Sequence, residues 1–289
     1  MSALILDGKA IAAAVRQELK ATVTQFRAKG ITPGLAVCLV GEDPASDVYV
    51  RNKVRACEEV GIRSVELRLP ATTTQVELEA LIDRWNADDT IDGILVQLPL
   101  PKGLDAGPIV ARIATHKDVD GFGMENLGQL TAGKPALVAC TPAGVMEILR
   151  RHSLNTGWSL RGKHAVVVGR SITVGRPMAL LLLQANATVT ICHSQTADLK
   201  SFVSSADLLV AAAGQRHLVQ GDWVKPGAVV IDVGIHRGED GKLSGDVDFA
   251  PAAALASAIT PVPGGVGPMT IAMLLDNTVQ ACQARRVGA

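Results

Sequence analysis

Five runs in this chain are apolar at nearly every position: LAVCLVG (residues 35–41), DGILVQLPLP (92–101), KHAVVVG (163–169), DLLVAAAG (207–214) and GAVVIDVG (227–234). A strand with one face in water alternates apolar and polar residues, whereas a run without alternation must be covered on both faces. Stretches of helical period lie between the runs. Ile11, Val15, Leu19 and Val23 recur before the first run and Gly30 ends that helix, while Val50, Val54 and Cys57 follow the first run on a helix that Ser46 can cap. A further strand over 64–69 and a helix over 74–86 lead to the second run. Strands and helices in alternation predict an α/β fold of parallel sheets with helices on their faces.

A polar, glycine-rich passage, KDVDGFGMENLGQLTAG (117–133), shows neither period and reads equally as a domain boundary or a binding loop. Beyond it, CTPAGVMEILRRH resumes the helical pattern. The strand KHAVVVG, a helix over 177–184, the strand ATVTICH, the helix DLKSFVSSA and the last two apolar runs then form a Rossmann-like pattern. The final helix, over 268–287, carries Ile271, Leu274 and Leu275 on an apolar stripe that needs a second surface, so it is expected to return to the first domain. The expected division is 1–121, with 266–289 packed against it, and 122–265.

Composition narrows the function. Lysine plus arginine and aspartate plus glutamate both number 28, and aromatic residues make up 3%, which leaves little to attract or stack nucleic acid. The start, MSALILDGKA, lacks the basic flank and apolar core of a signal peptide, and no apolar run is long enough to span a bilayer, so no membrane partner is expected. Five cysteines without CxxC spacing fit reduced thiols in a cytoplasmic protein.

In VVVGRSITVGRP, Gly169 and Gly175 bracket a strand-to-helix turn with Pro177 in the first helical turn. The spacing is not GxGxxG, and an ordinary tight turn remains an alternative to a dinucleotide site. A dinucleotide would use glycine for close backbone approach to the pyrophosphate and the amide groups at the helix start for its charge. An NAD site places an acid at the end of the second strand, yet here Cys192 is followed by His193, Ser194 and Gln195. Arg170 offers a positive fork and Ser194 a hydroxyl to a 2′-phosphate, which favours NADP.

The only tyrosine, Tyr49, lies four residues before Lys53, so the two are neighbours on one helix face. Lys53 is a candidate proton carrier if modestly desolvated, with Tyr49 bonding to it or stacking on a flat ring. An exposed lysine beside a groove-filling tyrosine is the plain alternative. Short-chain dehydrogenases share the spacing, but there the pair follows the nucleotide turn in the same domain. Gln97, inside ILVQLP, is costly to bury without a partner and sits at a strand's carboxyl end. Of Asp118 and Asp120, one carboxylate suits a heterocycle's N–H groups and the other a turn cap, and Asp120 beside Gly121 is the ligand candidate. No third ligand clusters with them, so no metal is expected.

VGEDPASDVYVRNKVRACEEVGI, DGILVQLPLP, KDVDGF, CTPAGV, GKHAVVVGRSITVGRPMALLL, ATVTICHSQT, GAVVIDVGI, GDVDF and TPVPGGVGPMTIAMLLDNT, in that order, resemble the methylenetetrahydrofolate dehydrogenase/cyclohydrolase family over nearly the whole chain. The resemblance implies two reactions in one cleft: NADP-dependent oxidation of 5,10-methylenetetrahydrofolate, and hydrolysis of the methenyl product to 10-formyltetrahydrofolate. A monofunctional dehydrogenase and a non-catalytic NADP-binding protein are the alternatives. By the same resemblance Lys53 moves protons, Tyr49 packs over folate, Gln97 tunes the lysine and Asp120 binds the pterin. Leu98, Pro99, Pro263, Gly264, Gly265 and Gly267 would complete the substrate site. The cofactor would meet Gly169, Arg170, Ser171, Val174, Gly175, Pro177, His193, Ser194, Ala213, Gly214, Gly234 and Ile235. A homodimer through the nucleotide-binding domains is implied as well. The chain departs from the family pattern at Gly123, where histidine is common, at Ala139, where proline is common, and at Gln195, which is often basic.

Overall fold

The computed structural model describes residues 3–287, the side chain of Ala45 excepted. Its elements begin β1 (Leu4–Ile5), α1 (Gly8–Ala28), β2 (Gly34–Val40), α2 (Pro44–Val60), β3 (Arg63–Leu69), α3 (Gln75–Ala87), β4 (Gly93–Val96), α4 (Ala106–Arg112), α5 (Met124–Thr131) and α6 (Cys140–Thr156). They continue β5 (His164–Val168), α7 (Gly175–Gln184), β6 (Thr188–Cys192), α8 (Leu199–Ser205), β7 (Leu208–Ala211), β8 (Val229–Asp232), β9 (His236–Arg237), β10 (Leu243–Ser244), α9 (Phe249–Leu255), β11 (Ala258–Ile259) and α10 (Val266–Cys282). The chain forms two compact units: an N-terminal unit of Ala13–Cys140 with Ile271–Ala289, and a central unit of Met1–Ala12 with Thr141–Thr270. No described helix is long and apolar enough to cross a membrane.

The N-terminal unit is built on a parallel sheet in the order β3-β2-β4. Its central strand β2 is buried at every position, as an unbroken apolar run requires. Ala36, Cys38 and Val40 belong to a core with Leu78, Ile82 and Trp85 of α3 and with Ile94 and Val96 of β4. The capping box of Thr74 and Glu77 fixes the start of α3.

Helix α2 starts earlier than expected. Asp43, not Ser46, is its cap: the Asp43 carboxylate accepts the Ser46 amide at 2.7 Å, and Ser46 is buried inside the helix. Pro44 decides this, because proline is tolerated in a first helical turn and excluded further in.

The 117–133 passage is not irregular throughout, for α5 lies within it. Four glycines in the passage hide the helical pattern, and the helix is held by bonds from Asn126 Nδ2 to Asp118 Oδ2 (2.9 Å) and to the Thr115 carbonyl (3.1 Å). Lys117, just before it, is fully buried and donates to the carbonyls of Trp85, Asn86 and Asp88 at 2.8–3.0 Å. A cation there complements the carboxyl end of α3.

Helix α10 returns to the N-terminal unit from Ile271 onward. In the π-helical segment that follows (Gln283–Val287), Arg285 and Arg286 grip the buried Asp92 carboxylate at 2.9 and 3.2 Å. That carboxylate also accepts the Gly34 amide at 2.9 Å. Asp92→Ala strands two guanidinium groups and an amide, and is expected to cost about 3 kcal/mol, read as a lower urea midpoint.

In the central unit six parallel strands run β1-β11-β8-β7-β5-β6. The division differs from the expected 121/122 boundary. The chain's start joins the central unit because β1 pairs with β11, and the segment through Cys140 stays with the N-terminal unit. A two-residue strand has no period to betray it. Counted from β5, the strand order is 2-1-3-4-5 with β1 added beyond, so the order reverses between β5 and β7. In open α/β sheets ligands bind outside the carboxyl ends of the strands at that reversal.

Candidate active site and nucleotide-binding turn

In the N-terminal sheet the strand order reverses between β2 and β4, and Gln97 follows directly on β4. Its amide still pairs with the Cys38 carbonyl at 2.8 Å. The expected strand over 92–101 is therefore shorter, Gly93–Val96, and ends at the Leu98-Pro99 corner, where the peptide bond is cis. Gln97 Nε2 donates to the Leu98 carbonyl at 2.7 Å, which turns Oε1 toward Lys53 Nζ at 3.0 Å. The half-buried amide thus has two partners, and the lysine is aimed by it.

Lys53 comes from α2, which leaves the carboxyl end of β2. The side-chain bond it makes is to Gln97 and not to Tyr49, whose side chain remains 46% exposed. Tyr49 therefore presents a flat apolar face rather than a tether for the lysine.

The two aspartates of KDVDGF separate by role. Asp118 is buried and accepts the amides of Gly121 (3.1 Å), Phe122 (3.4 Å) and Gly123 (2.8 Å) as well as Asn126 Nδ2. It is the turn cap, and Gly123, where the sequence departs from the family pattern, supplies one of its amides. No described residue hydrogen-bonds to the Asp120 carboxyl. Asp120 is half-buried, and the protein packed around it pushes its pKa up to about 6, against the pull of Lys53 and with the push of Asp118.

A carboxyl raised in this way destabilises the fold when ionised. Between pH 4 and 6 the folded chain holds a proton that the unfolded chain has released, so stability falls as pH rises through that window and the loss is complete above about pH 6. Asp120→Asn is therefore expected to raise the urea midpoint at pH 8 and to leave it nearly unchanged at about pH 3, below the ordinary aspartate pKa of 3.8, where the carboxyl is protonated in the folded and the unfolded chain alike.

At the carboxyl end of β5, Gly169 has φ +136° and Gly175 opens α7. A Cβ on Gly175 would run into the Gly169 carbonyl and lie 2.8 Å from the Arg170 amide, so glycine is required there. Pro177 is buried in the first turn of α7. Ser171 Oγ accepts the amides of Val174 (3.2 Å) and Gly175 (3.3 Å), and the Ser171 carbonyl accepts that of Arg176 (3.0 Å). The helix start is thus already capped from within, which differs from the expected open set of amides.

Val168 pairs with Cys192, so Arg170 and Ser194 each stand two residues beyond the same register point, and both are exposed. His193 Nδ1 accepts the Gln195 amide at 3.1 Å and shapes that loop. Ala213 and Gly214 follow β7, Gly234 and Ile235 follow β8, and Pro263, Gly264, Gly265 and Gly267 follow β11. All the predicted cofactor residues therefore share the carboxyl edge of one sheet. The predicted folate residues divide: Tyr49, Lys53, Gln97, Leu98, Pro99 and Asp120 lie in the N-terminal unit, the glycine loop in the central unit.

Residues 6–120 match the model of the tetrahydrofolate dehydrogenase/cyclohydrolase catalytic domain, and residues 139–286 that of the NAD(P)-binding domain of the same family. The chain belongs to the tetrahydrofolate dehydrogenase/cyclohydrolase family. It is 59% identical over 280 residues to the bifunctional protein FolD of Magnetococcus marinus, covering 96% of this chain and 97% of that one. The bifunctional methylenetetrahydrofolate dehydrogenase/cyclohydrolase FolD of Campylobacter jejuni is 49% identical and superposes with a TM-score of 0.95 over 98% of this chain and all of that one. The Trypanosoma brucei FolD, solved with NADP cofactor and an inhibitor, is 42% identical with a TM-score of 0.93 over the full length of both.

Within this family member, two side chains that sequence reasoning did not single out support the site. Lys117, together with the turn cap Asp118, holds the loop that presents Asp120. Asn277 of α10 donates to the carbonyls of Val119 and Val138, both at 2.8 Å, and so fixes the residue before Asp120. An asparagine inside MTIAMLLDNTVQAC was the available signal, because a buried amide demands partners. Cys140 donates to the Val119 carbonyl at 3.2 Å, and burial beside Asp120 holds its thiol well above the usual range.

Proposed function

We propose that this chain oxidises 5,10-methylenetetrahydrofolate with NADP⁺ and hydrolyses the 5,10-methenyl product to 10-formyltetrahydrofolate. The observation that carries the reading is the Lys53 Nζ to Gln97 Oε1 bond of 3.0 Å, next to a carboxyl without a protein partner, in the segment matching the family's catalytic domain.

The nucleotide turn suits NADP: it provides a backbone that only glycine allows, an exposed Arg170, and no acid after β6 to repel a 2′-phosphate. NADP, when bound, supplies the hydride acceptor. In the first reaction the two folate nitrogens stabilise the carbon that loses hydride, so the protein's task is alignment. Tyr49 offers a face to the folate ring, and Asp120 accepts from pterin N–H groups that replace its missing partners.

Hydrolysis needs proton movement. Water adds to the methenyl carbon, Lys53 takes its proton, and the same amine returns a proton to the ring nitrogen as that carbon–nitrogen bond breaks. Gln97 keeps the amine on one line of approach throughout.

Methylenetetrahydrofolate with NADP⁺ is expected to yield NADPH and methenyl absorbance, and methenyltetrahydrofolate alone is expected to be hydrolysed. Hydride transfer without hydrolysis would identify a monofunctional dehydrogenase; neither reaction would leave only a binding protein.

The proposal includes a homodimer formed through the central unit. β6 is an edge strand whose Ile191 is 42% exposed, and Leu183 on the adjacent α7 is 60% exposed, a combination that invites pairing with a second copy. Light scattering at twice the 30.1 kDa chain mass is the expected result. Five buried free thiols support a reducing, cytoplasmic setting.

A further inference from the structure

GDVDF, residues 245–249, and Asp232 at the end of β8 carry no step of the chemistry above, yet they place two buried carboxylates, Asp246 and Asp232, at the carboxyl edge of the central sheet. Asp246 is fully buried. Its Oδ2 accepts the amides of Ala213 (2.6 Å) and Gly214 (2.9 Å), and its Oδ1 lies 2.7 Å from His236 Nε2. The Asp246 amide donates to Asp232 Oδ1 at 2.9 Å, and Asp232 also accepts the amides of Gly234 (3.0 Å) and Val247 (2.9 Å). A Cβ on Gly234 would strike Asp246 Oδ1, so the two loops meet at the carboxylate itself.

Burying a carboxylate in this way is a poor route to stability, since a well-packed apolar side chain does as well or better. What a carboxylate does that an apolar group cannot is fix the direction of several N–H donors at once. The donors here belong to the loops after β7 and β8. The β7 loop in turn packs on the nucleotide turn, because the Ala212 carbonyl occupies the space where a Cβ of Gly169 would stand. With the pyrophosphate at the β5 turn and the adenosine toward β6, the remaining half of a dinucleotide must extend across β7 and β8.

We infer that Asp246, oriented by His236, is a positioning residue that sets the loops after β7 and β8 to receive the nicotinamide half of NADP. The inference rests on the cofactor reading above and adds a residue to it.

The test uses the full chain, with 2′,5′-ADP as a probe for the adenosine half alone. Asp246→Ala is expected to weaken NADP⁺ about tenfold or more, by calorimetry and as a raised KM for NADP⁺. Affinity for 2′,5′-ADP and cofactor-free hydrolysis of methenyltetrahydrofolate should stay at the parent values. Asp246→Asn keeps an acceptor for both amides and can donate to His236, and should recover most of the loss. His236→Ala, at a partly exposed side chain, keeps the test valid if Asp246→Ala does not fold, and should weaken NADP⁺ in the same selective way. Parent affinity for NADP⁺ in His236→Ala, or an equal loss of NADP⁺ and 2′,5′-ADP, would overturn the inference. A parent protein that binds 2′,5′-ADP and NADP⁺ not at all would overturn the cofactor reading itself.

Discussion

Lys53→Met is expected to lower cofactor-free hydrolysis of methenyltetrahydrofolate by about 10²- to 10⁴-fold, the range that general acid–base catalysis contributes. Methionine keeps the length and apolar stem of lysine, so the half-buried position stays filled while the proton-carrying nitrogen is lost. Gln97 Oε1 loses its donor but remains anchored through Nε2 on the Leu98 carbonyl. NADP⁺ affinity should be untouched, because no predicted cofactor residue lies in the N-terminal unit. The measurement is single-substrate hydrolysis beside NADP⁺ calorimetry on the same preparation. Hydrolysis at the parent rate would show that the proton moves through another group and would remove Lys53 from the mechanism.

Gly175→Ala is expected to reduce dehydrogenase turnover by about 10²-fold, the penalty attached to a displacement of roughly 1 Å in a reacting geometry. The added carbon meets the backbone of Gly169 and Arg170 rather than a flexible side chain, so the turn itself must move. Ser171 then loses its register with the amides of Val174 and Gly175, and the head of α7 is uncapped. Cofactor-free hydrolysis is the internal control and should persist. A variant that retains full turnover with NADP⁺ would mean that the cofactor does not approach this turn.

The two substitutions probe opposite units, and each has its control in the other unit: NADP⁺ affinity for Lys53→Met, cofactor-free hydrolysis for Gly175→Ala. A single fold-wide defect would lower both reactions together, whereas the proposed division of labour separates them.

Much of this was legible in the residues. The unbroken runs LAVCLVG and KHAVVVG could only be strands buried on both faces, and they are interior strands of two parallel sheets. Lys53 and Gln97, 44 residues apart, converge because one follows β2 and the other β4, the two strands that flank the reversal of order. The start of α2 was misjudged because a serine one turn into the helix looks like a cap unless the proline two residues before it is weighed.

What the residues determined by themselves was periodicity, the placing of special backbone at Gly169 and Gly175, and the chemical types available at strand ends, because each of these is a local property of the chain. Only the tertiary structure decided that β1 joins the far edge of the central sheet, that Asp118 is consumed by amides while Asp120 is left with its pKa near 6, and that Asp246 binds two loops together. Those outcomes depend on which groups from distant parts of the chain compete for the same hydrogen bonds and on how much water is removed from each carboxylate, and neither quantity has a signature in linear order.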